Sequence, residues 1–416
     1  MLPAGPAPAK AGTLAFLKRE LRPKGRFLTP FNVVSAAIMA AAAVILFFRF
    51  TRGLGAVTNL NQSFPWGLWI GFDVLTGVAF AGGAYVLTFL VYIVRLEKYH
   101  LIVRATVLNG FLAYVFYAGA LLLDLGRPWN VVNPIIGNSF GLSSVLFLVA
   151  WHFLLYMLAE LVEFSPAIAE WLGLRRVHRI LSALTVGAVV FGITLSTLHQ
   201  SALGALYLMA EPKLHPLWYS ELIPVQFFVS SIFAGLSMVI FEGTLSHRIF
   251  HERVSPELRR SHGEIVVGLA RIASGALFVY LFVEAIKFVH GQKWTAFRGG
   301  WAAWYLLEVV GLVAVPLALL MAGSRLGHVL MIRAGAVLAM LGVALNRLNI
   351  SVIAFKWYEP VHYVPTWMEV VVTLAVISAE IWVFRWIVSR MPVFGFRPTW
   401  AERQEAWILG AAAAKA

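Results

Sequence analysis

Long apolar blocks dominate the hydropathy pattern of the chain, and short stretches of charged residues, prolines or glycines separate them. Ten blocks of roughly 20–28 residues are long enough to cross about 30 Å of hydrocarbon as helices, at 1.5 Å of rise per residue. The predicted spans are approximately residues 31–50, 68–94, 101–123, 142–164, 177–199, 222–246, 264–290, 301–322, 329–355 and 367–388. The pattern therefore predicts an all-α integral membrane protein with about ten transmembrane helices.

Composition excludes a water-soluble globular domain. Of the 416 residues, 60% are hydrophobic and 13% are charged, and the mean hydropathy is +0.80. A soluble domain is typically about 45–50% apolar and about 25% charged. A soluble core could not bury ten uninterrupted apolar blocks, so we expect a lipid bilayer to surround this chain.

The net charge of +13 has two interpretations, a nucleic-acid partner or a record of membrane orientation. If residues 1–30 lie inside, the inside segments contain 21 Lys and Arg residues and the outside segments contain seven. Such a bias over short connections fixes the orientation of a membrane protein. We therefore expect no nucleic-acid partner, a cytoplasmic tail at 1–30, a membrane domain at 31–390 and a second cytoplasmic tail at 391–416.

The absence of cysteine limits the redox chemistry that the chain can carry by itself. It excludes disulfides, thiolate-held iron–sulfur clusters and cysteine zinc sites. A haem held by two histidines needs two of them on facing helices, and His152 alone lies near the middle of a predicted span. We therefore expect no haem, no iron–sulfur cluster and no metal site in this chain, so any redox metal belongs to a partner.

Two titratable residues lie within the predicted spans near their outer ends. Asp73 is about six residues, or roughly 9 Å, into the second span, and His199 ends the fifth span on the same side. An ionisable group in a span is costly, and it must face a cavity or the bundle interior. These residues could bind the two ends of a quinol or exchange its protons, or they could be a structural ion-pair partner and an interfacial histidine.

Further polar residues lie deeper in the spans. His152, Glu160 and Glu163 follow the fourth span towards its inner end, and they could lead protons from the cytoplasm towards Asp73. For the charged residues of the later spans we expect structural acid–base pairs, such as Glu308 with Arg347, because unpaired charges are costly in hydrocarbon.

The outer connections are long and contain many Trp, Pro, His and Asn residues, which suits a docking surface. Tryptophan is enriched at both membrane–water interfaces. We therefore expect Trp66, Trp69, Trp129 and Trp218 to form an outer aromatic belt.

The segment from Phe64 to Asp73, FPWGLWIGFD, resembles the signature of the NrfD/polysulfide-reductase-like integral membrane subunits. The similarity is greatest to the HybB branch, the quinone-reactive membrane subunits of Ni/Fe-hydrogenases. Further matching segments follow in the same order over roughly residues 50–390. They are GLG at 53–55, YH at 99–100, DLGRPWN at 124–130, SVLF at 144–147, EFSPA at 163–167, HQS at 199–201, HPLW at 215–218, IFEG at 240–243 and PTW at 365–367.

The resemblance implies a fold of two four-helix bundles, at about 68–199 and about 222–355, with flanking helices. It implies a multi-pass protein of the bacterial inner membrane that binds menaquinone or ubiquinone near the periplasmic face. The expected partner is a periplasmic ferredoxin-like iron–sulfur subunit, and through it a hydrogenase, molybdopterin-type or multihaem cytochrome subunit. The chain would then be catalytic only as a subunit of a quinone oxidoreductase complex.

The resemblance also assigns site residues. It makes Asp73 the acid of the quinone site and His199 a ligand or proton partner, with Trp69, Arg127 and Gln200 as weaker candidates for the lining. One position departs from the HybB pattern, because Leu148 stands where that branch has a glutamate.

Two other functions are compatible with the sequence. Intramembrane carboxylates and two bundles also suit an ion-coupled secondary transporter, which would take up a substrate as an isolated chain. A structural membrane anchor without its own quinone site is the other alternative. Quinone binding to the isolated subunit would exclude the anchor.

Overall fold

A computed structural model describes residues 13–22, 24, 28–136 and 144–394 of the chain. In this part, ten helices are long and apolar enough to cross a membrane. They are α1 (Pro30–Arg52), α2 (Trp69–Ile93), α3 (Glu97–Asp124), α4 (Val145–Trp171), α5 (Arg175–Lys213), α6 (Ile223–Ile249), α7 (Pro256–His290), α8 (Gly299–Leu326), α9 (Val329–Ile353) and α10 (Trp367–Val388). The prediction of an all-α membrane protein with ten spans is confirmed.

The described residues contain no β-strand, and one isolated antiparallel bridge joins Leu214 to Phe355. Much of the predicted tails, including residues 1–12 and 395–416, lies outside the described part. The tails therefore stay predictions, as does the division into two bundles.

Some helices continue beyond the apolar blocks that predict them. α7 begins at Pro256, eight residues before the predicted span, and α5 continues through a short 3-10 helix at Leu208–Lys213. Hydropathy marks only the part of a helix that lies in hydrocarbon, whereas charged residues can also form helix outside the hydrocarbon.

The two ends of the molecule are named from the charge-based prediction of orientation. The outer end contains the connections α1–α2, α3–α4, α5–α6, α7–α8 and α9–α10. The opposite end is the inner end.

Capping residues define where several spans begin and end. The Thr29 side chain accepts from the Asn32 backbone N–H before α1, and Ser255 caps α7 in the same way. α10 begins with a capping box in which Thr366 and Glu369 satisfy each other's backbone N–H groups. These side chains replace partners that the first turn of a helix lacks.

α2 and α6 form the centre of the molecule. The apolar stretch of α2 is 83% buried and that of α6 is 72% buried, compared with 17% for α1. α4 packs along α5, α8 along α9, and α10 against both α1 and α3. At the crossing of α2 and α6, a methyl group on Gly235 would overlap the backbone nitrogen of Gly83. Glycine is therefore required at this crossing, because no side chain fits between the two backbones.

Three of the spans contain four π-helical segments between them. The segments are Trp69–Val74 in α2, Phe89–Ile93 at the end of α2, Leu307–Ala314 in α8 and Asn349–Ile353 at the end of α9. Such segments are rare and occur frequently at functional sites. The first contains Asp73 and the third contains Glu308, so both carboxylates lie on irregular turns.

The predicted aromatic belt is wrong for two of its four members. Trp69 and Trp218 are 2% and 0% exposed, whereas Trp129 is 73% exposed. The Trp218 indole donates to the Glu308 carboxylate at 2.7 Å. Both buried tryptophans have a hydrogen-bond acceptor inside the protein, so their N–H groups do not need the interface.

We predict that Gly235→Ala destabilises the protein because its methyl group forces α2 and α6 apart. Overpacking of this kind costs about 1–3 kcal/mol. The midpoint of thermal unfolding in detergent measures the effect. Gly187→Ala is the control, since a methyl group there would meet no atom within 4 Å. An unchanged midpoint for Gly235→Ala would show that the close crossing is not required.

Candidate functional site

Asp73 lies in the first turns of α2 and is 1% exposed. Its Oδ2 accepts a hydrogen bond from the Thr373 hydroxyl of α10 at 3.0 Å. Its Oδ1 is buried and has no hydrogen-bond partner within the described residues. Buried polar atoms in native proteins are nearly always paired, so this oxygen is a candidate for binding a ligand or a proton.

A second carboxylate and an arginine lie beside Asp73. Asp124 ends α3 near Asp73, and its Oδ1 also has no partner among the described residues. Arg49 of α1 lies near Asp124 and donates to the backbone carbonyls of Leu123, at 2.7 Å, and Leu125. Arg49 therefore places a positive charge at the carboxyl end of α3, where the helix dipole favours it. We call Asp73, Asp124, Arg49 and Thr373 the acid cluster.

In the sequence, Arg49 is one of the seven outer Lys and Arg residues, and Asp124 is the first residue of the DLGRPWN motif. Their positions at the ends of two spans on the same side indicate that they could approach each other. Thr373 gives no such signal, because a threonine in an apolar helix is common.

Trp69 is not a member of the acid cluster, but it holds the turn of α2 that carries Asp73. Its indole donates to the Glu369 backbone carbonyl at 3.1 Å, and its ring packs between α1 and α10. The Tyr363 hydroxyl donates to the Glu369 carboxylate and accepts from the Leu68 N–H at 3.0 Å. These contacts attach the first turn of α2 to the first turn of α10, so Trp69 positions the turn that carries Asp73.

His199 lies near the outer end of α5 and is 0% exposed. Its Nδ1 is 3.2 Å from the Val149 backbone carbonyl of α4. A carbonyl only accepts, so Nδ1 carries the proton and Nε2 is the unprotonated nitrogen of the neutral ring. Nε2 has no partner within the described residues, and the rings of Tyr114 and Phe153 lie 5.8 Å and 5.5 Å away. The hydrogen bond to Val149 therefore holds the imidazole in one tautomer, in which Nε2 is available to accept a proton.

Gln200 follows His199 and is also buried, at 1% exposed. Its amide donates to the Val78 carbonyl of α2 at 2.9 Å, while its Oε1 has no partner in the described part of the chain. Gln200 thus attaches α5 to α2 one to two turns below Asp73. The contact connects the helix of His199 to the helix of the acid cluster.

Asp73 and His199 do not touch each other. No hydrogen bond or ring contact joins them in the described structure, and both lie against the outer half of α3. Tyr114 of α3 adjoins His199, and Tyr117, one turn further, adjoins Asp73 and packs on Gly77 of α2. Asp73 and His199 therefore belong to two neighbouring groups of side chains that both lie against α3.

The predicted inner residues form a row that leads to His199. Glu160 of α4 is 1% exposed, and neither of its oxygens has a hydrogen-bond partner among the described residues. It lies next to Tyr156 and Tyr114, whose ring centroids are 4.7 Å apart. We call Glu160, Tyr156, Tyr114 and His199 the tyrosine row.

Glu163 and His152 border this row. The Glu163 carboxylate packs against Gly192 of α5 and lies near Glu160 and Tyr156, at the inner end of the row. His152 of α4 lies near His199 of α5. The structure therefore brings the three predicted proton-path residues to the same part of the molecule, and it adds the two tyrosines that sequence reasoning missed.

Arg127 lies apart from both clusters. It is exposed in the connection between α3 and α4, where it precedes the short 3-10 helix Pro128–Val132. Its guanidinium forms no hydrogen bond or ion pair with another described residue.

The second half of the chain contains a different kind of polar network. The Glu308 carboxylate accepts from the Trp218 indole and the Asn346 amide, both at 2.7 Å, and from Asn349 at 2.5 Å. Arg347 is 0% exposed and donates to Asn346 at 2.9 Å. The predicted pair of Glu308 and Arg347 therefore forms through Asn346 and not directly.

A true ion pair lies beside this network. Lys287 and Glu284 of α7 are 2.7 Å apart, and the Gln226 amide and the Tyr305 hydroxyl also donate to Glu284. The expectation of structural acid–base pairs is met at this position.

The outer connection between α5 and α6 is held in place by buried groups. The Lys293 ammonium donates to the backbone carbonyls of Pro216, Leu217 and Tyr219. Burial, together with the nearby charge of Lys293, lowers the pKa of His215 to about 4. The His215 ring is therefore neutral at pH 7, and its Nδ1 accepts from the Leu217 N–H at 3.2 Å. This connection has a defined conformation, as a docking surface requires.

A family model described as polysulphide reductase, NrfD, matches residues 56–356. The chain belongs to the NrfD family. The match covers α2 to α9 and contains Asp73, Asp124, His199 and Glu160. In this NrfD-family chain, Arg49 of α1 and Thr373 of α10 lie outside the match, so the two flanking helices complete the surroundings of Asp73.

Three relatives extend over nearly the whole chain. A protein of Nitratidesulfovibrio vulgaris (strain Hildenborough) is 41% identical over 377 residues, 90% of this chain and 97% of that protein. The "Probable Ni/Fe-hydrogenase 2 b-type cytochrome subunit" of Escherichia coli (strain K12) is 30% identical over 375 residues, 89% and 93% of the two chains. The "Menaquinone reductase, integral membrane subunit" of Nitratidesulfovibrio vulgaris is 26% identical over 408 residues, 87% and 93% of the two chains. The resemblance stated from the sequence motifs is thereby confirmed.

We predict that Thr373→Val destabilises the NrfD-family chain, because it leaves the buried Asp73 carboxyl without its hydrogen-bond donor. The expected loss in the free energy of unfolding is about 1–3 kcal/mol, seen as a lower unfolding midpoint in detergent. Thr194→Val is the control, since that hydroxyl is exposed and bonds only to its own helix. Equal midpoints for the two variants would contradict a role of Thr373 in holding Asp73.

Proposed function

We propose that this chain is the quinone-reactive membrane subunit of a respiratory redox complex. In this proposal it exchanges electrons between the menaquinone or ubiquinone pool and an iron–sulfur partner subunit at the periplasmic face. The observation that carries the proposal is the pair of buried, unpartnered atoms at the outer end, Asp73 Oδ1 and His199 Nε2. The names of two relatives, a hydrogenase subunit and a menaquinone reductase subunit, support the same class of function.

The residues present fit a quinone as substrate. A quinone has two oxygens, each of which gains or loses one proton when two electrons are exchanged. The neutral His199 ring offers Nε2 as an acceptor for one hydroxyl proton, while the Asp73 carboxyl can hold the other. Tyr114, Phe153 and Tyr117 supply aromatic surface beside these groups.

Electrons must leave or enter through a partner, because the chain contains no cysteine. Nor do the described residues contain a group of three or more His, Cys, Asp or Glu side chains able to hold a metal. Asp73 is four residues, about 6 Å, from the start of α2, and His199 is six residues, about 9 Å, before Ala205, where the regular α-helical part of α5 ends. A ferredoxin-like subunit bound at the outer connections would then be close to the quinone. That subunit would in turn bind a hydrogenase, molybdopterin-type or multihaem cytochrome subunit.

Protons for His199 would pass along the tyrosine row. Glu163 and Glu160 lie towards the inner end of α4, and Tyr156 and Tyr114 follow in order towards His199. Hydroxyl and carboxyl groups can both donate and accept a proton, which a relay requires. His152 borders the row next to His199.

We predict that Asp73→Asn and His199→Ala each lower quinone-dependent turnover of the purified native complex by at least about a hundredfold, the scale of a lost acid–base group. The rate of quinone reduction or oxidation with a soluble electron donor or acceptor measures this. Subunit composition should stay unchanged, because neither side chain forms part of the outer connections. His290→Ala is the matched control for the loss of an imidazole, since His290 is exposed at the outer end of α7.

Normal turnover in both site variants would remove the site assignment. Quinone-analogue binding to the isolated subunit tests the anchor alternative directly, because an anchor without a quinone site binds none. Substrate uptake by the isolated chain in liposomes would instead favour the secondary transporter.

A further inference from the structure

Two carboxylates lie in the middle of apolar spans and have no role in the mechanism described so far. They are Glu242 of α6 and Glu380 of α10, both half-buried. Neither forms an ion pair within the described part of the chain. A charged side chain in a span costs roughly 2.5–3.5 kcal/mol on insertion scales, so residues of this kind are kept for structural pairing or for function.

Their depths place them between the two ends of the molecule. At 1.5 Å per residue, Asp73 is about 6 Å and Tyr117 about 10 Å from the outer ends of their helices. Glu380 is about 20 Å from the outer end of α10, and Glu242 is about 10 Å from the inner end of α6. In order of depth, the four groups cover most of the membrane.

The directions of the side chains shorten the gaps between them. Helical side chains point back towards the amino terminus of their own helix. Tyr117 therefore points inwards from α3, while Glu380 points outwards from α10, and the Tyr117 hydroxyl lies beside the Glu380 carboxyl. Glu242 also points outwards from α6, towards Glu380, which lies close enough to interact with it electrostatically.

Tyr117 connects these groups to the acid cluster at the outer end. The Tyr117 ring lies directly over Gly77, one turn after Asp73 on α2, where any larger residue would overlap it. Tyr117 also lies close to the Asp73 carboxylate. Tyr117 thus adjoins a carboxyl group on each side.

Glu242, the innermost of these groups, borders a crevice. This small crevice lies between α3, α6 and α7 at the inner end, and Glu242, His247 and His262 line it. The two imidazole rings stack at 4.6 Å, and His262 Nε2 is buried without a partner in the described structure. The crevice also borders Val254 in the α6–α7 connection, so it extends from Glu242 to the inner end of the molecule.

We propose that His262, Glu242, Glu380 and Tyr117 form a proton route from the inner-end crevice to Asp73. This route lies between α3, α6 and α10 and is separate from the tyrosine row, which ends at His199. The inference rests on the proposed function, because Asp73 needs a proton route only if it takes part in quinone chemistry.

The two routes together supply the two protons that the reduction of one quinone consumes. Reduction of one quinone consumes two electrons, supplied by the iron–sulfur partner, and two protons, which form the two O–H bonds of the quinol. One proton arrives through Asp73 and one through His199, and each route then restores the proton to its own residue. Oxidation of a quinol reverses every step, with both electrons passing to the partner.

The test uses the native complex in lipid vesicles that contain a pH-sensitive dye. A membrane-impermeant electron donor or acceptor drives only those complexes whose outer end faces the external solution. In the wild type we expect quinone turnover to change the internal pH. In Glu380→Gln we expect turnover and the internal pH change to fall at least about tenfold, because an amide cannot relay a proton. Tyr117→Phe should act in the same direction.

Ser378→Ala is the matched control on the same helix. Its hydroxyl bonds only to the Leu374 carbonyl within α10, so this variant should behave as the wild type. Unchanged turnover and internal pH change in Glu380→Gln would overturn the proposed route and would show that Glu380 only ties α10 to α3.

A second measurement does not depend on turnover. Infrared spectroscopy in D₂O follows the exchange of the Asp73 carboxyl proton, whose band is assigned by its loss in Asp73→Asn. We expect exchange to slow at least about tenfold in Glu380→Gln and not in Ser378→Ala. Equal exchange, or no protonated Asp73 band, would overturn the route. If the wild-type complex shows no quinone turnover, the proposed function fails, while the exchange rates still decide the route.

Discussion

A polar atom inside the hydrocarbon region has no water to bond with, and this constraint separates the two halves of the molecule. In α6 to α9, Glu308 and Glu284 each accept from three side-chain donors. In α2 to α5, Asp73, Glu160 and His199 each leave at least one buried atom unpaired. A satisfied network stabilises one arrangement of helices, whereas an unsatisfied one keeps the capacity to bind a substrate or a proton. For this reason we propose the quinone site in α2 to α5, while the later helices leave fewer groups of this kind unpaired, among them His262 Nε2 of α7.

The flanking helices are part of this arrangement. α1 contributes Arg49 to the end of α3, and α10 contributes Thr373 to Asp73. α10 also brings Glu380 next to Tyr117. The family match ends before α10, yet this helix completes the surroundings of Asp73, on which the proposed function depends. The outer acid cluster is thus built from four helices, α1, α2, α3 and α10.

The spans could be predicted from the sequence because length and apolarity alone decide them. The depth of Asp73 and His199 followed from the same pattern. Their partners could not be predicted, because a span that is apolar on all sides has no periodicity to show which face is buried. For this reason Trp69 and Trp218 were expected at the surface, and Asn346 was missed as the link between Glu308 and Arg347. Residues far apart in sequence, such as Asp73 and Thr373, meet only through helix packing.

The tautomer of His199 explains why two clusters suit the proposed reaction better than one. Its Nδ1 is committed to the Val149 carbonyl, so the ring can take up a proton only at Nε2. One imidazole can therefore serve one oxygen of a quinone, and the other oxygen needs a separate group. In the proposed mechanism Asp73 is that group. It lies against the same helix, α3, beside Tyr117, which is one turn from the Tyr114 that adjoins His199. Because Asp73 and His199 each transfer a single proton, each needs its own connection to water. A direct contact between the two side chains would only let one transfer its proton to the other.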